Sequence, residues 1–130
     1  MADCLDWEIE HIPDEDDAFM RAHSDHFRKG DLQPSVFRVR DGGMSVDWAK
    51  YSTPEQTRQR ANQPLQNAVI SLPVLKIRGI SGLDVRHAPT VAPEPLNRAH
   101  SNVLGIPDSG VQLTKTRALL LDVSNVLIAL

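Results

Sequence analysis

The sequence predicts a single α+β domain over residues 1–130. A mostly antiparallel or mixed sheet of about five to six strands would carry two to three short helices. Three observations support this. Leu5, Trp7, Ile9 and His11 alternate with Asp6, Glu8 and Glu10, the period-two pattern of a half-buried strand. Thr53-Pro54-Glu55-Gln56 combines an N-cap threonine, a proline suited to the first helical position and capping-box spacing, which together start a helix. Short apolar runs such as 68–72 recur between Gly and Pro clusters, with no repeat or linker dividing the chain.

The elements follow in order. The strand at 5–11 ends in the acidic turn 13–17. Within 16–30, Phe19, Ala22, His23, His26 and Phe27 form one helical face, closed by Arg28, Lys29 and a capping Gly30, so the spacing predicts a helix. An extended 18–23 followed by a helical turn is the other arrangement these residues allow. Residues 36–40 look extended, and Asp41-Gly42-Gly43 signals a turn. The stretch 41–52, polar and aromatic, is expected to be a ligand-facing loop. The helix begun at Thr53 is short and polar and ends near Asn62 or Pro64. Residues 68–72 read as a strand, 73–78 as a helical turn capped by Gly79, and 83–87 as another strand. Pro89, Pro93 and Pro95 mark a loop, and 97–104 a short helix or turn. After the break at 105–110, residues 111–121 and 126–130 are expected to be strands.

Composition narrows the class. An apolar share of 41% and a charged share of 24% are ordinary for a globular protein. Cys4 is the only cysteine, so no intramolecular disulfide forms. The acidic N-terminus lacks the apolar stretch of a signal peptide, and the apolar run 118–130 is too short to span a bilayer. A cytoplasmic protein without membrane partners is expected. Eight of the seventeen acids fall within the first seventeen residues, where no Lys or Arg occurs; the other 113 residues hold nine acids against fourteen bases. The asymmetry fits an acidic edge shielding a basic surface that meets a nucleotide or nucleic acid, and equally a solvated edge strand followed by an acidic helix start. No lysine-rich run points to nucleic acid.

No G-x-x-x-x-G-K-[ST], G-x-G-x-x-G, G-x-S-x-G, C-x-x-C or H-E-x-x-H occurs, and neither a metal nor a cofactor is expected. His23 and His26 could present two imidazoles on one face, a spacing that serves buried hydrogen-bonded histidines as well as ligands. Asn97-Arg98-Ala99-His100 offers an amide, a guanidinium and an imidazole within four residues. Arginine grips phosphate or carboxylate, and histidine moves protons near neutral pH. The candidate ligand-binding residues are therefore Arg21, Ser45, Trp48, Tyr51, Asn97 and Arg98. The candidates for catalysis are His23, His100 and Ser45.

Four segments, 18–23, 30–38, 43–55 and 97–100, contain Gly43-Met44-Ser45-Val46-Asp47-Trp48-Ala49-Lys50-Tyr51-Ser52-Thr53-Pro54-Glu55 and Asn97-Arg98-Ala99-His100. Over roughly residues 5–105 the chain resembles a group of small uncharacterised bacterial proteins, a resemblance that implies no activity, cofactor or fold. The order of an aromatic-plus-arginine strand, a serine after a glycine turn and a downstream acid is also similar to ADP-ribosyltransferase-like folds and RNA 2′-phosphotransferases. Two functions are expected from these readings. The first is a cytoplasmic bacterial accessory or interaction protein with a polar, aromatic-containing face for an unknown protein or a small anionic ligand. The alternative is a small enzyme or toxin-like protein acting on a nucleotide or phosphorylated substrate.

Overall fold

The computed structural model describes residues 7–130, which form one α+β domain. Six strands make an antiparallel sheet: β1 (Asp17–His23), β4 (Met44–Trp48), β5 (Asn67–Pro73), β6 (Asp84–His87), β7 (His100–Leu104) and β8 (Asn125–Ile128). Their spatial order is β6-β7-β4-β1-β5-β8. A two-stranded ribbon, β2 (Phe27–Arg28) and β3 (Asp31–Leu32), stands apart, turning through Lys29 (φ 53°) and Gly30 (φ 86°). Positive φ at both turn positions matches the right-handed twist of a tight hairpin. Three helices complete the chain: α1 (Pro54–Gln59), α2 (Val74–Arg78) and α3 (Gly110–Val123). No helix of the described residues is long and apolar enough to cross a membrane.

Alternation across the strands sorts the side chains into two layers. Ala18, Met20, Ala22, Met44, Val46, Trp48, Ile70, Leu72, Val85 and Val103 face a core closed by Val74 and Ile77 of α2 and Leu120 of α3. Phe19, Arg21, Ser45, Asp47 and Asn67 face the opposite side, where α1 lies. The capping box that starts α1 is complete: Gln56 N–H donates to Thr53 Oγ1, and Thr53 N–H donates to Gln56 Oε1.

The sheet is weakest at its middle. β1 pairs with β5 over seven positions, and β4 with β7 over four. Between them, β1 and β4 share only Ala18↔Trp48 and Phe19↔Asp47. Past that point each strand hydrogen-bonds only to its outer neighbour, so two three-stranded halves part.

Several elements differ from the sequence reading. Leu5 and Asp6 lie outside the described residues, and 7–11 form no strand. Ile9 is 76% exposed, so the alternation there has no buried face. Residues 16–30 take the extended alternative: β1, a 3₁₀ turn at Ser24–His26, then β2. Ala18, Phe19 and Met20 are buried consecutively, because a central strand covered on both faces hides its period of two. Residues 44–48 are strand β4 rather than loop. Residues 97–104 turn at Asn97 and continue as β7. The expected strand at 111–121 is helix α3; a run of that length exceeds a usual strand and is rich in Leu, Gln, Lys, Arg and Ala, which favour helix. Residues 36–40 begin inside a 3₁₀ turn, Pro34–Val36.

Candidate anion-binding cleft

Where β1 and β4 part, a cleft of about 850 Å³ opens. Its floor is the buried edge of the core at Met20, Val36, Met44 and Val46. Its walls carry Arg21 and His23 from β1, His26 from the 3₁₀ turn before the ribbon, Arg38 and Arg40 from the segment after it, Ser45 and Asp47 from β4, Arg60 after α1, and Asn97 and His100. The cleft thus gathers four guanidiniums and three imidazoles against two acids, Asp47 and Glu94.

Asp47 is 4% exposed and organises one wall. Its Oδ2 accepts from Thr57 Oγ1 and Arg60 Nη1, each at 2.8 Å, and its Oδ1 accepts from Asn97 Nδ2 at 2.8 Å. Arg60 Nη1 also donates to Ser52 Oγ at 2.9 Å. One carboxylate therefore ties β4 to α1, to the chain beyond it and to the turn before β7. It neutralises Arg60. Arg21 Nη1 donates to the neutral Thr57 carbonyl at 3.1 Å. Among the described residues, no carboxylate pairs with Arg21, Arg38 or Arg40. His26 senses this excess of positive charge. Burial, then the Arg38 guanidinium, hold its imidazole below the ordinary value; His23 and Arg117 add to the effect and Asp25 opposes it.

His100 is the best-oriented base in the cleft. Its Nδ1 lies 2.8 Å from the Ala88 carbonyl, and its Nε2 lies 3.1 Å from Ser45 Oγ. A carbonyl only accepts, so in the neutral ring the proton sits on Nδ1 and Nε2 receives the Ser45 hydroxyl proton. His23 instead turns its Nδ1 back to accept from Asp25 N–H at 3.0 Å. The registers Phe19↔Asp47 and Asp47↔His100 set His23 four residues along and two strands over from His100. At strand spacings that is roughly 17 Å between Cα atoms, so the two imidazoles serve different parts of the cleft.

Of the residues singled out from sequence, Arg21, His23, Ser45, Asn97 and His100 line the cleft, and Trp48, Tyr51 and Arg98 do not. Trp48 is 1% exposed in the core, with its ring 5.4 Å from Tyr51 and its Nε1 donating to Asp16 at 2.8 Å. Arg98 stacks 4.2 Å over the Tyr51 ring. Both belong to a clasp that grips the chain's own N-terminal segment. Glu10 accepts from Lys50 Nζ at 2.7 Å and from the Tyr51 hydroxyl, and Arg98 Nη2 approaches it at 3.8 Å. Glu10 N–H donates to His87 Nδ1 at 3.0 Å, and His87 Nε2 meets the Arg98 carbonyl at 2.6 Å. The aromatic pair therefore holds protein rather than facing a ligand.

Hydrogen bonds from Lys50, then Tyr51, lower the Glu10 pKa below 4.5, and the Glu10 bond raises that of Lys50 above 10.5. A depressed carboxyl stabilises the fold above its unfolded value and loses that contribution as pH falls through the folded one; a raised ammonium does the reverse. The Glu10–Lys50 pair of the clasp therefore contributes fully between pH 4.5 and 10.5. The melting temperature of wild type should exceed that of Glu10→Gln at pH 7. The gap should close as pH is lowered from 4.5, and thermal denaturation across pH reads it directly.

Arg38, Arg40, Arg60 and Asp47 were not singled out from sequence. The signal for Asp47 was present: in Met44-Ser45-Val46-Asp47-Trp48 apolar residues alternate with polar ones, putting Ser45 and Asp47 on one face. Arg60 reaches the cleft only through packing of α1. No protein-family model, curated protein or solved structure matches this chain.

Proposed function

We propose that the cleft binds a phosphate-bearing ligand of the nucleotide class. The observation that carries this reading is the set of three arginines, Arg21, Arg38 and Arg40, that share one cleft and meet no carboxylate among the described residues. Guanidinium groups held together without counter-charges favour phosphate, which they bind through paired N–H donors. Beside that charge Met20, Val36, Met44 and Val46 close the floor of the cleft, each 7% exposed or less. The volume of about 850 Å³ lies within the range of small-molecule sites. In this reading the protein is a cytoplasmic bacterial accessory protein whose ligand face is the arginine cleft rather than the aromatic pair.

A second reading, a small group-transfer enzyme acting on a nucleotide or phosphorylated substrate, is favoured by the Ser45–His100 pair inside the same cleft. The likeness in residue order to ADP-ribosyltransferase-like folds and RNA 2′-phosphotransferases agrees with it. Isothermal titration with ADP and with pyrophosphate tests the shared claim. Each Arg→Ala change at 21, 38 or 40 should weaken ADP about tenfold or more, the loss expected for a charged hydrogen bond. Lys115→Ala, on α3 away from the cleft, should change nothing. Equal binding by all four variants would refute the assignment.

A further inference from the structure

We propose that Ser45 is a nucleophile that accepts a phosphoryl group from an anionic donor bound in the cleft, with His100 as its general base. The inference rests on the anion-binding reading of that cleft and adds a covalent step to it.

The hydroxyls around the cleft differ in where their protons point. Thr57 Oγ1 donates to Asp47, and Thr90 Oγ1 donates to the Pro95 carbonyl at 2.7 Å. Ser52 Oγ donates to the Thr53 carbonyl at 2.9 Å. These bonds anchor structure. Ser45 Oγ faces a ring nitrogen that can take its proton. Serine is a weak nucleophile until a positioned base does this, and a third group must hold the base in the right tautomer. The Ala88 carbonyl holds Nδ1 and supplies that constraint. Ser45 itself is exposed on β4, so it is open to a ligand, and its loss costs no packing.

The lining chooses phosphorus as the electrophile. Arg40 belongs to a bridge whose other member, Gly43, lies two residues before Ser45, and Arg21 projects from the facing strand. Guanidiniums there can neutralise the non-bridging oxygens of a phosphoryl group while Ser45 Oγ attacks in line. The Oγ–P bond forms and the bond from phosphorus to the leaving oxygen breaks. The leaving group keeps that electron pair. The hydroxyl proton passes to His100 Nε2, which can then return it to the departing oxygen. The donor is a phosphoric anhydride, so no oxidant or reductant is needed.

Two reagents test the step. Diisopropyl fluorophosphate is neutral and reports nucleophilicity alone; acetyl phosphate is anionic and needs the arginines as well. Intact mass and peptide mapping should place one adduct from each reagent on Ser45. Ser45→Ala should lose both. His100→Gln, which can still donate to Ala88, should slow both by about 10²–10⁴-fold, the usual contribution of a general base. Arg21→Ala should slow only acetyl phosphate, and ADP should protect Ser45 from it. If neither reagent modifies Ser45 while ADP still binds, the nucleophile is overturned and the anion site stands. If fluorophosphate labels Ser45 but acetyl phosphate does not and ADP fails to bind, both the phosphoryl donor and the cleft reading are overturned.

Discussion

Replacing Trp48 by alanine should lower the unfolding free energy by about 4 kcal/mol, within the ~3–5 kcal/mol seen for large aromatic residues removed from cores. Trp48 is the largest fully buried side chain and sits at one of the two rungs where the halves of the sheet join, Ala18↔Trp48. Its removal deletes the contact with Tyr51, the edge-on contact with His87 at 5.1 Å and the indole bond to Asp16. The backbone bonds on both sides of it remain: Ala49 N–H to Asp17 toward β1 and Trp48 N–H to Ala99 toward β7. A natural domain is stable by only about 5–15 kcal/mol, so a large part of the total would go. Denaturant titration should show a lower midpoint. Trp48→Phe, which keeps the aromatic packing and loses the indole bond, should recover most of the difference.

Asp47→Ala should cost about 2–3 kcal/mol and should also disorganise the cleft. Removing one member of a fully buried pair costs ~3–5 kcal/mol because the other is left uncompensated. Here the figure is reduced, since the Arg60 side chain keeps 30% exposure and can return to water. Thr57, 1% exposed, and Asn97 lose their acceptor with less chance of replacement. Asp47→Asn should fare little better, because its amide nitrogen would face one of three donors. Both variants leave Arg60 without its counter-charge, so thermal melts should fall in midpoint. ADP titration should show binding changed by a residue not proposed to touch the ligand.

Much of the local structure was legible because it depends on neighbours in sequence. The box at Thr53 and Gln56, the turn 74–78 ending at Gly79, and strand β5 all follow from residues a few positions apart. From sequence β1 resembles a helix, because burial on both faces removes its alternation and leaves the helical spacing of Phe19, Ala22, His23, His26 and Phe27. α3 is obscure in the sequence for a related reason: apolar residues surround it, and only Thr116 and Leu120 are buried. Its periodicity therefore gives no face. At the cleft, the polar residue types at Arg21, His23, Ser45, Asn97 and His100 were visible in the chain. Their division from Trp48, Tyr51 and Arg98 was not. That division follows from the register of β4 and from the Glu10 clasp, which joins residues 40 positions apart. The splay between β1 and β4 is likewise a property of pairing, with no local signature.

The most direct test of the cleft's role is a histidine-resolved NMR titration with ADP. Burial and Arg38 keep the His26 imidazole below its ordinary value, so a bound phosphate near those arginines should raise its pKa. Resonances of His26 and His100 should move together and saturate at one dissociation constant, while His87, locked in the clasp beyond the sheet's other face, stays in place. Movement of His87 without His26 or His100, or no change in the His26 titration at saturating ADP, would contradict the assignment of the arginine cleft as the ligand site.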